Sequence, residues 1–496
     1  MKFWILLFFS AVFLSCRPAY DYVHITGSDA YPQERAFLES LFEEDAEIAA
    51  LGLRLTESTD NSRRSPRPAM FIEFLSSWEH DGDILISTTV FVPREDALAG
   101  RSSTSLASCL EGNETLVRPH EIEPPFVALR VDGRSLEDEN YPLVQAVYIS
   151  IRTDEERIPA PRLQEKMYRL EEILQAAPKP LLARPSAPIW LVAGGDTMLG
   201  RGASEILFRE GPEGIFGATA EMLASADIAM LNLEGMISNM GERIPKSFHF
   251  RFVPQTAPAL KNAGIDVVLH ANNHVFDYGK DAFLDSLTRL SRAGIGIAGA
   301  GIDIESASDP FVFSRGDEVC LVFGLASFPR ERNGWDGISA AAGPGLAGML
   351  HAGRGGAQML KSKFSPEALN VVLFHGGTEW SNSPDAATRA LYTDLIAAGA
   401  DLVIGSHPHI VQGFEWVHGK PVFWSLGNYV FSGMQNTGGG DEGLLIRLGF
   451  WQGRLLYLEP FALTLNGPRT NIAPPEKLET FYIRSRELRE QNSRAR

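Results

Sequence analysis

A chain of 496 residues is too long for one compact core and suggests two domains behind a leader. Its composition, 44% hydrophobic and 22% charged, is globular and excludes collagenous or low-complexity architectures. With 45 Lys and Arg against 62 Asp and Glu, the formal net charge of -17 argues against a nucleic-acid partner and against an electrostatic grip on anionic lipid.

The first segment reads as an export signal. Lys2 is followed by an almost wholly apolar run, Phe3 to Leu14, suited to a signal-peptide core and short for a membrane span. It ends Phe13-Leu14-Ser15-Cys16, which resembles a bacterial lipobox with Phe13 where Leu is usual. The expectation is a lipidated Cys16 and an exported lipoprotein, membrane-anchored and facing the periplasm or cell exterior. An uncleaved N-terminal anchor is the alternative. Cys109 and Cys320 could pair in an oxidising compartment, but Val319-Cys320-Leu321-Val322-Phe323 reads as a strand holding a buried free thiol.

Residues 17–185 are expected to form a smaller accessory α+β domain. Glu34 to Leu55 is acidic and helix-prone, and Asn61 to Pro68 breaks it. Strands are predicted at Met70–Phe74, Ile84–Val92, Phe126–Val131 and Val144–Ile151, with a helix over Leu163–Ala176. Val131-Asp132-Gly133 with Tyr141-Pro142-Leu143 faintly resembles the second lobe of periplasmic solute-binding proteins of the phosphate-binding kind. An accessory domain without that role fits equally, since no cluster here carries chemistry. A Pro-rich joint, Pro178 to Pro188, marks the boundary.

From Ile189 short apolar runs alternate with helical patterns, the mark of strands buried on both faces. Strands are predicted at Ile189–Ala193, Ile228–Asn232, Val267–His270, Val319–Leu325, Val371–Phe374 and Leu402–Ile404. Helices are predicted at Thr256–Asn262, Asp281–Ala293 and Pro384–Ala398. Gly443–Phe450 and Arg454–Pro460 alternate around Gln452-Gly453 and predict a hairpin. The result is a layered α/β domain over residues 186–465, with 466–496 as a C-terminal tail.

Polar, ligand-type residues sit just past these strands, where open α/β sheets place their sites. They are Gly195-Asp196-Thr197-Met198, Asn232-Leu233-Glu234-Gly235, Asn272-Asn273-His274 with Asp277, His375 to Glu379, and Gly405-Ser406-His407-Pro408-His409. A lone Asp after a strand is usually a cap, and a lone His usually structural. Two imidazoles two residues apart on an extended stretch point the same way. Taken together, carboxylates, an amide and three imidazoles at strand ends read as a metal site.

The set resembles the calcineurin-like metallophosphoesterases, and within them the CapA family of capsule and poly-γ-glutamate synthesis. The motifs that carry the resemblance run from Gly195 to Arg201, Asn232 to Gly235, Ala271 to Gly279, His375 to Trp380, Gly405 to His409 with Gln412, and Ser425 to Phe431. It covers about residues 189–465. It implies a layered metallophosphoesterase sandwich with Asp196, Glu234, Asn273, His375, His407 and His409 as metal ligands. His274 would face the substrate as acid or transition-state donor, oriented by Asp277. Arg201 is a candidate anion clamp or a solvated helix-start residue. Glu379 supports His375 or lies on the surface, and Asn428 lines the site or serves a turn.

A mixed oxygen and nitrogen set suits a divalent transition metal, Mn, Fe or Zn, with two ions implied. Met198 stands where the wider superfamily has His, which removes a ligand and would weaken one position. The resemblance implies either a hydrolase acting on a phosphoester or anionic polymer, or a non-catalytic lipid-anchored partner of a membrane polymer synthase.

Overall fold

The computed structural model describes residues 188–494 except 317, 332–334 and 435–436, and in the earlier part the segments 7–8, 21–26, 32–51, 53–56, 70–77, 86–89, 93–94, 103–104, 127–128, 130–131, 144–153 and 161–176. Two compact units result, one of residues 1–92, 103–121 and 130–187, the other of 93–102, 122–129 and 188–496. Cys16 and Cys109 lie outside the described residues, as do Val131-Asp132-Gly133 beyond Val131 and Tyr141 to Leu143.

The first unit is a mixed α+β arrangement. Six of its described strands form a sheet in the order Leu7–Phe8, Val144–Thr153, Met70–Ser77, Asp21–Thr26, Leu53–Thr56, with Ile86–Thr89 also paired to Val144–Thr153, while Ser103–Thr104 pairs separately with Arg130–Val131. Helices run Pro32–Glu44, Ala46–Ala50 and Pro161–Ala176. The helical expectation for Glu34 to Leu55 is cut short, because Leu53–Thr56 pairs with Asp21–Thr26 instead. Among the described residues no helix is long and apolar enough to cross a membrane.

The second unit is a sandwich of two sheets between two layers of helices. Its main elements are β1 (Ile189–Met198), α1 (Ala203–Phe216), α2 (Thr219–Ser225), β2 (Ile228–Leu233), α3 (Thr256–Asn262), β3 (Val267–Leu269), α4 (Gly279–Arg292), β4 (Gly296–Ala298), β5 (Phe311–Arg315), β6 (Glu318–Ser327) and β7 (Leu369–Gly376). They continue with α5 (Ala386–Ala397), β8 (Leu402–Ser406), β9 (Val411–Val417), β10 (Lys420–Leu426), β11 (Asn428–Phe431), β12 (Glu442–Trp451), β13 (Arg454–Asn466), β14 (Arg469–Ile472) and α6 (Leu478–Arg494).

The first sheet has eight strands in the order β4-β3-β2-β1-β12-β13-β14, with β11 also beside β1. Strands β1 to β4 are parallel, and β12 to β14 finish it antiparallel. The second has six strands, β5-β6-β7-β8-β10-β9, parallel from β6 through β8 to β10 and antiparallel at both edges.

Alternation along each strand builds the layers. Ile189, Leu191 and Ala193 of β1 pack with Val371, Leu373 and Ile404 between the sheets. Val192 of β1, Ala229, Leu231 and Val268 face the other way, against Leu207, Phe216, Leu223 and Leu260 of the helices. On the second sheet Val372, Phe374, Val403 and Trp424 meet Tyr392, Leu395 and Ile396 of α5. Cys320 is a buried free thiol in β6, its thiol pushed up to about 12 by burial and then by Asp401.

Residues 466–496 carry β14 and α6. Phe481, Tyr482, Ser485 and Leu488 form the buried stripe of α6, and Ser485 Oγ accepts the Phe414 amide at 2.9 Å. Phe481 is 2% exposed within the inter-sheet cluster. Phe481→Ala should therefore cost about 3–5 kcal/mol of unfolding free energy in a denaturant titration, and a loss under about 1 kcal/mol would show that this last helix is not part of the core.

Candidate metal centre

Most of the polar groups singled out past parallel strands arrive at one place, because parallel strands end on one edge of their sheet. The first sheet delivers oxygen donors: Asp196 near the end of β1, Glu234 after β2, and Asn273 after β3. The second delivers imidazoles: His375 in β7 and His407 and His409 after β8. In register, Asp196 lies beside Asn232, Asn232 beside Leu269, and His375 beside Ser406.

Asp196 is fully buried and held from several sides. Its Oδ1 accepts from Asn232 Nδ2 at 2.7 Å, and the His407 amide lies 3.2 Å from both carboxylate oxygens. His409 Nδ1 stands 2.9 Å from Asn428 Oδ1 and 3.1 Å from Asp196 Oδ2. Both are acceptors, so Nδ1 carries the proton and Nε2 is left toward Glu234 Oε1, at 3.7 Å. Asn428 is itself fixed by donating to the Gly440 carbonyl at 2.6 Å.

Beside them, His375 Nε2 lies 3.0 Å from Asn273 Oδ1 and 3.0 Å from His407 Nδ1. Its Nδ1 side meets Asn232 Nδ2 at 3.0 Å and Ser406 Oγ at 3.2 Å. His274 Nδ1 donates to Asp277 Oδ2 at 2.7 Å, and its Nε2 faces Glu234 Oε1 at 3.8 Å.

Glu234 decides what this arrangement is for. It is fully buried, and neither carboxylate oxygen has a hydrogen-bond partner among the described residues. Asp196, Glu234 and His409 each offer a ligand atom within 4.8 Å of the others and could hold a metal ion. The mixed carboxylate, amide and imidazole donors fit a divalent transition metal.

The charges agree. Burial pushes the Glu234 carboxyl well above the usual range, and Asp196 and Glu379 add to it against His409. Burial alone would lower His409, but Glu234, Asp196 and Glu379 carry it up to about 10. Burial and then neighbouring cationic groups hold His375 and His407 well below the usual imidazole value, so both are neutral near pH 7 and ready as ligands. Burial also lowers His274, opposed by Asp277.

The backbone is distorted at the same place. Among the described residues six non-glycine positions have positive φ, and four of them surround the cluster: Arg201 (φ 52), Trp380 (φ 63), His407 (φ 95) and His409 (φ 58). His418 and Gln452, the other two, precede glycines in hairpin turns. Such conformations cost about 1–3 kcal/mol each and gather at functional sites. Trp380 is kept there by the hydrogen bond its backbone amide donates to the Pro408 carbonyl at 2.9 Å, with its ring 5.4 Å from that of His409.

The remaining candidates fall around this centre. Arg201 is exposed at the rim; Nη1 donates to the Ser432 carbonyl at 2.6 Å, and the guanidinium sits 5.4 Å from the Phe250 ring, which packs 4.0 Å from that of His274. Glu379 is exposed and acts on the cluster by charge; the groups against His375 Nδ1 are Asn232 and Ser406 instead. Met198 is buried in the apolar layer under α1, its sulfur accepting from the Gly200 amide at 3.2 Å, and takes no part in the cluster. Asn232, at the head of the motif that holds Glu234, serves as the donor to Asp196. Lys246 and Glu331 belong to no motif, and only a buried lysine at the site reveals them.

A four-layer α/β/β/α sandwich with this donor cluster at its strand ends defines a protein of the metallophosphoesterase-like fold. Residues 190–433 match the family described as "Bacterial capsule synthesis protein PGA_cap", and this domain belongs with the CapA proteins. It is 27% identical over 241 residues to the "PGA biosynthesis protein CapA" of Bacillus subtilis, covering 48% of this chain and 62% of that one. It is 28% identical over 267 residues to the "Capsule biosynthesis protein CapA" of Bacillus anthracis, covering 51% and 62%. A "probable polyglutamine synthesis accessory protein" of Mycobacterium tuberculosis is 29% identical over 315 residues, covering 54% and 80%. The chain thus spans under two thirds of the length of the two Bacillus relatives.

Because Glu234 and His409 are raised, the metal-free cluster holds a proton that a cation must displace. Metal affinity should rise from about pH 6 to about pH 8, with about one proton released per binding event in calorimetry across buffers of different ionisation enthalpy. Uptake without proton release would exclude His409 and Glu234 from the ligand set.

Proposed function

We propose that this protein is a metal-dependent hydrolase of phosphoester-type bonds, exported and lipid-anchored through Cys16, that works in the synthesis of poly-γ-glutamate or another anionic cell-surface polymer. The observation that carries the reading is the buried Glu234 carboxylate, without a hydrogen-bond partner among the described residues, with His409 and His274 both turned toward its Oε1. The capsule-synthesis names of its Bacillus relatives supply the biological setting.

Asp196, Glu234, Asn273, His375, His407 and His409 would hold the metal, one ion or two, of the Mn, Fe or Zn kind. Such an ion supplies Lewis-acid polarisation and charge neutralisation at the scissile phosphoryl group. The chain's own residues do the rest. Asp277 holds His274 by Nδ1 and stabilises its charged form, so Nε2 can take up and return a proton beside the cluster. Asp196 gains a fixed geometry from Asn232 and the His407 amide. Arg201, one aromatic ring away from His274, suits an anionic group of the substrate outside the reacting centre. A cleft of about 580 Å³ lined by Phe328, Thr378 and Asp385 reaches the site only through the Phe328 ring, which lies 5.8 Å from that of His407.

A second reading has one observation in its favour. Met198 gives its side chain to the core, so the donor set is one imidazole short of the wider superfamily pattern. On that reading the domain is a non-catalytic, lipid-anchored component that binds an anionic polymer or supports a membrane synthase.

Elemental analysis of purified residues 17–496 separates the cases. Transition metal should copurify and be lost in an Asp196→Ala, His407→Ala double variant. His274→Ala should keep the metal and lower hydrolysis of bis-p-nitrophenyl phosphate by about 10²–10⁴-fold. Bound metal without turnover of any phosphoester, in a protein still needed for polymer formation, would decide for the non-catalytic component. Absence of metal in a folded protein would sink the hydrolase.

A further inference from the structure

Lys246 lies on the irregular connection between β2 and α3, outside every motif. Its side chain is only 1% exposed. A buried ammonium is costly unless each of its three protons finds an acceptor. Here all three do: Asp277 Oδ1 at 2.9 Å, Glu331 Oε1 at 3.0 Å, and the backbone carbonyl of Asn273. The Trp335 ring covers it at 4.3 Å.

The identity of the acceptors gives the lysine its meaning. Asn273 is gripped at both ends: its carbonyl by Lys246, and its side-chain Nδ2 by the same Glu331 oxygen at 3.4 Å. With Nδ2 turned to Glu331, Oδ1 must turn the other way, and it stands 3.0 Å from His375 Nε2. Asp277 is partitioned in the same manner. Lys246 takes Oδ1, while Oδ2 receives the Phe250 amide at 2.7 Å and His274 Nδ1 at 2.7 Å. The Ile244 amide adds a bond to the Asp277 carbonyl at 3.0 Å. One ammonium therefore sets the orientation of a ligand amide and of the imidazole that faces the cluster.

We propose that Lys246 is a positioning residue which, paired with Glu331, turns the Asn273 amide oxygen and the His274 ring toward the metal cluster. The inference rests on the hydrolase reading for its kinetic consequence, but not for its effect on metal affinity or on the His274 ring.

The test uses the full chain loaded with Mn or Zn, comparing Lys246→Met, Lys246→Arg and Glu331→Ala with the parent. Metal affinity, read by competition with a chelating dye, should fall about 10–100-fold in Lys246→Met and in Glu331→Ala. Turnover of bis-p-nitrophenyl phosphate should lose kcat by about the same factor with KM unchanged, and Lys246→Arg should restore part of both. In ¹⁵N-histidine spectra the His274 ring signals should lose the single Nδ1-protonated form in Lys246→Met. Unchanged metal affinity together with an unchanged His274 signal overturns the proposal. If Lys246→Met does not fold, Glu331→Ala, at a partly exposed position, carries the affinity test with the same two outcomes. If the parent itself turns over no phosphoester, the hydrolase reading fails, while the affinity and ring measurements still decide the role of Lys246.

Discussion

A carboxylate taken wholly out of water with no donor on either oxygen is stable only against a positive charge, and Glu234 is such a group. Much of the second unit can be understood as what it takes to build that situation and hold it. Two sheets must end side by side so that Asp196, Glu234 and Asn273 meet His375, His407 and His409. The turns that carry the last two imidazoles must adopt left-handed backbone at residues with side chains, and Trp380 must do the same to pin them. The packed cores on either side of each sheet supply the stability that tolerates these local costs.

Elements whose two faces meet apolar neighbours were legible. Strands β1, β2, β6, β7 and β8 and helices α3, α4 and α5 were all expected, each within a few residues of its observed limits, because buried parallel strands and amphipathic helices leave strong patterns. So was the β12–β13 hairpin, whose Gln452-Gly453 turn takes positive φ at both positions. Less visible was α1, where Gly211 at φ 75 and Pro212 break the helical spacing inside the element. Helix α6 was also missed: its charged sequence shows only a narrow apolar stripe, and that stripe is recognisable once β9 is known to lie beneath it.

The same logic separates the parts of the site. Residues delivered by strand ends were legible, since the position of a ligand follows from the strand that precedes it. Lys246 and Glu331 are not at strand ends. They are 31 and 54 residues from Asp277 along the chain, and nothing local marks Lys246 as buried or Glu331 as its partner. Only the tertiary fold, by closing two loops over Asp277 and Asn273, gives them a common purpose. Glu379, four residues after His375, shows the reverse: proximity in sequence did not bring it into contact with that imidazole.

The donor set is divided by chemistry along the seam of the sandwich, hard oxygens on one sheet and borderline nitrogens on the other. Each half hangs on its own strand ends and is packed by its own helices. The two halves still share one apolar core between the sheets, and Met198, at the end of β1, gives its side chain to the apolar layer rather than to the cluster. Each imidazole lost shifts the remaining ligand field toward oxygen and so toward harder cations. A cation seated at this seam would meet both sheets at once, one through its oxygens and the other through its nitrogens.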